Sequence, residues 1–207
     1  PMISQSQISN SRGFTYPVAL RSLMRQDPEV IMIGEIRDPE TAAIAIQAGL
    51  TGHMIISTIH SDSTAGVYAR LINMDIEPFM LASSITGVLG LRLLRTICPH
   101  CKTEDRPNAE YLTLLPENFV EETTFYTGAG CANCFQTGYQ GRMAVTELLN
   151  SSEPFREGVI QKLRTSKLHD IAIDDGMTTF WQNAMAKVQR GSTSLAEVIR
   201  VISVNQL

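Results

Sequence analysis

Apolar residues fall along the chain in two kinds of run, and their lengths set the first expectations. Val30 to Ile33 is an unbroken apolar stretch closed by Gly34-Glu35, and Met54 to Ile59, apolar but for Ser57-Thr58, is a second run. Runs this short, bounded by turn residues, predict strands buried on both faces of a parallel sheet. Between them Pro39-Glu40-Thr41 opens an Ala-rich segment to Ala48, stopped by Gly49 and again by Gly52, which predicts a helix. Residues 1–17 are polar, rich in Ser, Gln and Asn, and predict a loop or edge strand. The amphipathic pattern from Val18 to Arg25 ends at Asp27-Pro28, because the residue before proline is driven out of the α region. Farther on, Asp62 or Ser63 can cap a helix through Ala69 to Met74. Pro78 begins a segment apolar nearly all round, which reads as a helix through Leu94. Strand, helix, strand, helix predicts an open α/β sheet, whose ligands bind beyond the carboxyl ends of its strands.

At Cys98 the character changes. Two cysteine pairs bracket a polar, turn-rich segment with Pro107, Pro116, Gly128 and Gly130, which reads as a separate small module. Arg142 to Leu149 reads as one strand, and the remainder as short helices, the last opened by Ser194 with Glu197 three residues on, a capping-box pattern.

Composition narrows the class. With 207 residues, 43% hydrophobic and 18% charged, the chain is a folded globular protein with material for one or two domains, and disorder, collagen and coiled coil are excluded. A formal charge of -4 supplies no global basic field, so nucleic acid is not an expected partner. The longest uncharged apolar stretch, Pro78 to Leu91, falls short of the roughly 20 residues that span hydrocarbon. No secretion-signal pattern opens the chain, which leads to the expectation of a cytoplasmic home, and a start at Pro1 to that of a piece of something longer.

All four cysteines stand in C-x-x-C pairs, Cys98/Cys101 and Cys131/Cys134, with 29 residues between the pairs. Each such turn can aim two thiolates at one point, and two turns complete a closed tetrahedral site for structural Zn2+. Two disulfides are the plainer alternative, disfavoured in a cytoplasmic chain. Redox catalysis by Cys98-Pro99-His100-Cys101 is the other, though that chemistry wants the first cysteine at a helix N-terminus, whereas Cys98 follows Leu91-Arg92-Leu93-Leu94. With four thiolates present, His100 has no vacancy to fill.

Glu35 ends the first apolar run, so its carboxylate should emerge at the sheet crevice. In an NTPase such a glutamate polarises the attacking water or holds a Mg2+-bound water. The alternative is a strand-terminal carboxylate satisfied by Arg37 or by a helix N-terminus, and from the residues alone both stand. His53 and His60 flank the second run and lie roughly 23 Å apart in an extended chain, so one phosphate cannot meet both. His60, with Ser57 and Thr58, is at the carboxyl end beside Glu35; His53, at the opposite end, reads as structural or as a subunit contact. Arg21, Arg25 and Arg37 could neutralise phosphate from within the subunit or across an interface, with surface salt bridges as the alternative for each. No G-x-x-x-x-G-K-[ST] phosphate loop occurs in the 207 residues, which argues for poor nucleotide binding by this chain alone.

Several stretches together resemble one family, the secretion and pilus-assembly motor ATPases of type II secretion and type IV pili. Leu20-Arg21-Ser22-Leu23-Met24-Arg25-Gln26-Asp27-Pro28 is one; Ile31-Met32-Ile33-Gly34-Glu35-Ile36-Arg37-Asp38 resembles that family's atypical Walker B segment. Thr51-Gly52-His53 through Ser57-Thr58-Ile59-His60 resembles its histidine box, and Cys98-Pro99-His100-Cys101-Lys102, Cys131, Cys134 and Gly138-Tyr139-Gln140-Gly141-Arg142 resemble its metal module and the stretch after it. The resemblance runs from about Phe14 to Val201 and implies an α/β fold. Residues 1–97 would be the C-terminal part of a RecA-like ATPase domain, 98–141 a tetracysteine zinc module, and 142–207 a small helical C-terminal domain. It implies the Walker B catalytic role for Glu35, a γ-phosphate contact for His60 and a place near the base or ribose for Arg142. It also implies ATP and Mg2+ in the full-length protein, a homo-hexamer, inner-membrane platform and anchor proteins as partners, and a location peripheral to the inner membrane. The retraction branch lacks the cysteine module, so the four cysteines point to the secretion or extension branch. Walker A, the acidic Asp box and the N-terminal domains of that family would all precede Pro1, and the chain alone is expected to be inactive. A zinc-stabilised interaction module without catalysis is the rival from a different class.

Overall fold

A computed structural model describes residues 3–202; the outer ends of the first and last expected segments, residues 1–2 and 203–207, lie outside the described residues. In chain order the elements are α1 (Tyr16–Leu23), β1 (Val30–Ile33), α2 (Pro39–Leu50), β2 (Met54–Ser57), α3 (Gly66–Ile72), α4 (Pro78–Ser84), β3 (Gly87–Ile97) and β4 (Lys102–Glu104). Then follow α5 (Ala109–Leu112), α6 (Glu117–Glu122), β5 (Tyr126–Gly128), β6 (Tyr139–Asn150), α7 (Glu153–Ile160), α8 (Thr165–Asp174), α9 (Phe180–Gln189) and α10 (Leu195–Val201). The described residues form two compact units, one of residues 3–88 with 149–176, the other of residues 89–148 with 177–202.

In the first unit β1 and β2 pair in parallel, Val30 opposite Met54 and Ile33 opposite Ser57. The helix between them starts as its sequence dictates: Asp38 caps α2, accepting from the Thr41 N–H at 2.8 Å and the Thr41 hydroxyl at 2.7 Å, with Pro39 in the first turn. Asp27, ahead of Pro28, takes φ +53°, so the chain leaves the right-handed helix there through the left-handed region and not through the extended one that a following proline favours. Helices α1, α2, α4 and α7 pack in succession. Tyr68 is buried at the centre, edge-on to Phe155 at 5.0 Å, with its hydroxyl 2.6 Å from the Ser151 hydroxyl. Burial pushes the Tyr68 phenol up to about 12.

Two expectations fail here. Burial on both faces holds for neither strand: Ile31 and Ile33 point inward, but Val30 is 56% exposed, Met32 73%, Met54 54% and Ile56 51%. Strand side chains alternate, and among the described residues nothing covers the second face of this two-stranded sheet. The helix expected through Leu94 ends at Ser84, where Ile85 turns extended with φ -87° and ψ 116°, and Gly87 to Ile97 becomes a strand paired with β6. An all-apolar run suits either period, and Gly87 and Gly90 weaken the helix while a 12-residue partner strand offers a full ladder. Cys98 therefore follows a strand.

The second unit packs its core around Leu94 and Val145 from the strands with Phe180, Val188, Leu195 and Val198 from the last helices. Ser194 caps α10 through the Glu197 N–H, yet the Glu197 carboxylate does not complete the capping box. It is buried and held by Arg95, through the backbone N–H at 2.9 Å and the guanidinium at 2.6 Å, and by Arg200 at 2.7 Å. Burial alone would raise this carboxyl, but the bonds from Arg200 and Arg95 outweigh it and hold it at about 2.

The ordinary glutamate value is 4.5, so the folded state binds its proton more weakly than the unfolded chain does. The stabilisation is complete above pH 4.5 and is lost as pH falls toward 2. Urea unfolding between pH 6 and pH 3 should show this acid-side decline, and Glu197→Gln should flatten it while costing about 2–4 kcal/mol at pH 6.

Candidate active site and cysteine cluster

The carboxyl ends of β1 and β2 carry the acid and the imidazole side by side. Glu35 Oε1 lies 3.0 Å from His60 Nε2, and Arg37 Nε donates to Glu35 Oε2 at 2.5 Å. Glu35 is the shielded member, its side chain 15% exposed against 84% for His60 and 76% for Arg37. Local structure explains the placement. Parallel pairing brings the two strand ends level, and the Ile36 N–H extends it by one bond to the Thr58 carbonyl at 2.9 Å. Gly34 lets the chain leave β1 beneath Tyr16, whose hydroxyl stands 2.8 Å from where a Cβ at residue 34 would sit. Ile36 is buried and anchors the far side of the loop, and the Asp38 cap fixes its exit into α2.

Beyond His60 opens a cleft of 610 Å³ whose walls include Ser61, Asp62, Ser63 and Arg70, a size that suits a small-molecule ligand. The carboxylate pairing with Arg37 foreseen for Glu35 is present on one oxygen, and His60 meets the other. Arg21 is engaged elsewhere, with Glu40 at 2.7 Å, and Arg25 is exposed after α1. Arg142 is exposed on β6, within the second unit. His53 Nδ1 contacts the Ala48 carbonyl at 3.2 Å and the Thr51 hydroxyl at 3.3 Å, so it belongs to the turn between α2 and β2. Sequence reasoning overlooked Tyr16, the Asp38 cap and Arg70; Asp38-Pro39-Glu40-Thr41 carried a readable cap signal, while the other two depend on tertiary approach.

The four cysteines converge although the pairs are distant in sequence. All four Sγ atoms lie within 4.8 Å of one another, with 3.9 Å between Cys98 and Cys131, 3.8 Å between Cys101 and Cys134, and 3.7 Å between Cys131 and Cys134. A tetrahedron with Zn–S bonds of about 2.3 Å has edges of about 3.8 Å, so the donor set fits that ion, whereas a disulfide needs about 2.05 Å and all four thiols are free. The Cys131 N–H at 3.2 Å and the Gly138 N–H at 3.3 Å both point at Cys134 Sγ. Burial opposes the Cys134 thiolate, but these N–H groups outweigh it and bring Cys134 down to about 6, while burial pushes Cys101 up to about 12. Gly128 and Gly138 meet backbone to backbone beside the cluster, where a Cβ on either would overlap the other's main chain.

Comparison with known proteins places this geometry in a class. Residues 1–200 match the family described as Type II/IV secretion system protein, and the chain belongs to that family. The type IV pilus assembly ATPase PilB of Thermus thermophilus is 41% identical over 201 residues, 96% of this chain and 23% of that protein. The type II secretion system ATPase E of Vibrio cholerae is 40% identical over 199 residues, 96% of this chain and 39% of that one. This chain thus spans well under half the length of these relatives. Among solved structures, the ATPase DotB of Yersinia pseudotuberculosis aligns with a TM-score of 0.65 at 20% identity, over 96% of this chain and 43% of that one. The pilus retraction motor PilT with bound ADP aligns with 0.62 at 21% identity, over 90% and 43%. The fold is the α/β, RecA-like fold of these ATPases, as the sequence resemblance implied.

Because His60 and Arg37 are largely exposed, their contacts with Glu35 are screened by water. Glu35→Gln and His60→Ala should each shift unfolding free energy by no more than about 1 kcal/mol in thermal melts, so any functional loss in these variants separates from unfolding.

Proposed function

We propose that the chain is the hydrolytic portion of a motor ATPase that powers pseudopilus or pilus assembly for protein secretion. The observation that carries this reading is the Glu35–His60 pair at the carboxyl ends of two parallel strands, in a chain whose relatives are secretion and pilus ATPases. ATP would be held on a phosphate loop outside these 207 residues, and Mg2+ when bound would neutralise charge on its phosphates. Glu35, shielded and fixed by its loop, polarises the attacking water or holds a Mg2+-bound one; His60, exposed on the neighbouring strand end, meets the γ-phosphate. Arg37 lies next to Glu35 and is the nearest cation for phosphate, with Arg21 and Arg25 acting within or across subunits and Arg142 near the base or ribose. The working assembly is a homo-hexamer in the cytoplasm whose closing and opening moves an inner-membrane platform protein, with anchor proteins holding it at the membrane. No helix among the described residues is long and apolar enough to cross a membrane.

Cys98, Cys101, Cys131 and Cys134 would hold structural Zn2+, and four thiolates would leave it no position for substrate, which suits a scaffold role. A non-catalytic zinc-stabilised module is the second reading, favoured by the missing phosphate loop. Nucleotide titration separates the two: binding gained by a chain extended to the relatives' length, and absent from the 207 residues, identifies the enzyme.

In that extended chain Glu35→Gln should bind ATP and lose nearly all turnover, at least about 100-fold in a steady-state phosphate-release assay, and near-normal hydrolysis would refute the assignment. Purified without added metal, the 207-residue chain should carry one zinc per chain by elemental analysis. Cys131→Ser should lower zinc occupancy and the melting temperature together, whereas a redox pair would leave the metal content at zero in both.

A further inference from the structure

One residue grips the backbone on both sides of Glu35. The Thr58 hydroxyl donates to the Gly34 carbonyl at 2.7 Å, and the Thr58 carbonyl accepts the Ile36 N–H at 2.9 Å. Only Glu35 lies between those two bonded groups. The regular ladder has already ended, its last pair being Ile33 with Ser57. Past that point one side-chain bond and one backbone bond, both from Thr58, hold the loop, and the Tyr16 hydroxyl stands 2.8 Å from where a Cβ on Gly34 would sit. With the peptide planes before and after Glu35 both held, the direction of its Cα–Cβ bond is restricted too, and its carboxylate Oε1 lies 3.0 Å from His60 Nε2. His60 leaves the same strand end two residues after Thr58.

Local threonine chemistry does not explain the contact. Threonine hydroxyls commonly bond backbone within a few residues of themselves, but this one reaches 24 residues away, across the sheet. Nor does strand formation require it, since valine has the same branched shape and a strand preference at least as strong. What the hydroxyl adds is the bond to Gly34.

We infer that Thr58 is a positioning residue for Glu35: its hydroxyl and carbonyl hold the backbone on either side of that residue and so aim its carboxylate at the reacting centre, without touching substrate. The inference rests on the catalytic reading of Glu35 proposed above. Positioning acts on the transition state, so its loss lowers kcat and leaves ATP binding alone.

The test uses steady-state ATP hydrolysis by the chain extended to the relatives' length. Thr58→Val should lower kcat about 10- to 100-fold with the KM for ATP changed less than about twofold, and Thr58→Ala should show the same split. Thr58→Ser, which keeps the hydroxyl, should stay within about threefold of the parent, and Thr58→Val should add nothing in a Glu35→Gln background. In the 207-residue chain, Ile36 amide exchange should quicken about tenfold in Thr58→Val and remain slow in Thr58→Ser. That measurement decides the matter even where a variant of the longer chain fails to fold. Parent-like kcat in Thr58→Val, equal losses in Thr58→Ser and Thr58→Val, a raised KM at unchanged kcat, or unchanged Ile36 exchange would each overturn the inference. Parent-like turnover in Glu35→Gln would instead overturn the catalytic reading itself, so the two failures are distinguishable.

Discussion

The parallel pairing of two four-residue strands, Ile31 beside Ile55 and Ile33 beside Ser57, is the constraint from which the site follows. Glu35 and His60 are far apart along the chain and have no local reason to meet. They meet because both leave the sheet at the same end, two residues beyond one strand and three beyond the other. A slip of one residue would displace one group by about 3.3 Å and turn the inward Ile31 and Ile33 toward solvent, so burial of those two side chains enforces the register the carboxylate needs. Chemistry at the strand ends is thus held in place by packing at the strand middles.

What could be read from the sequence was what local rules decide. The strands at Val30 and Met54 and the capped helix at Pro39 rest on short apolar runs, a proline and an aspartate, all visible in one dimension. The convergence of four thiols was legible because C-x-x-C turns carry their own geometry. The segment after Pro78 misled because an all-apolar run fits either period, and only the distant strand Tyr139–Asn150 resolves it. Glu197 was legible as a cap but not as the buried partner of Arg95, 102 residues away, and that pairing took its carboxylate from the capping box. Tyr16 over Gly34 left no trace in sequence for the same reason: approach in space has no period.

The cysteine module and the Glu197 cluster show two ways of fixing polar structure in one unit. Arg95 stacks over the Tyr139 ring at 4.1 Å while bonding Glu197, and Tyr139 in turn meets the Ser194 hydroxyl at 2.6 Å, so strands β3 and β6 and helix α10 share one network of charge and ring. The thiols lie just past β3 and just before β6, where short elements bury little and a tetrahedral donor set can define what packing does not.

The uncovered side of the β1–β2 sheet has a consequence for how this chain behaves in solution. Val30, Met32, Met54 and Ile56 form a two-by-two greasy tile, and among the described residues no third strand joins this pair. Water wets such a tile at a cost of about 25 cal/mol for each Å². Any extended polypeptide that zips onto a border gains both hydrogen bonds and shelter for the methionines.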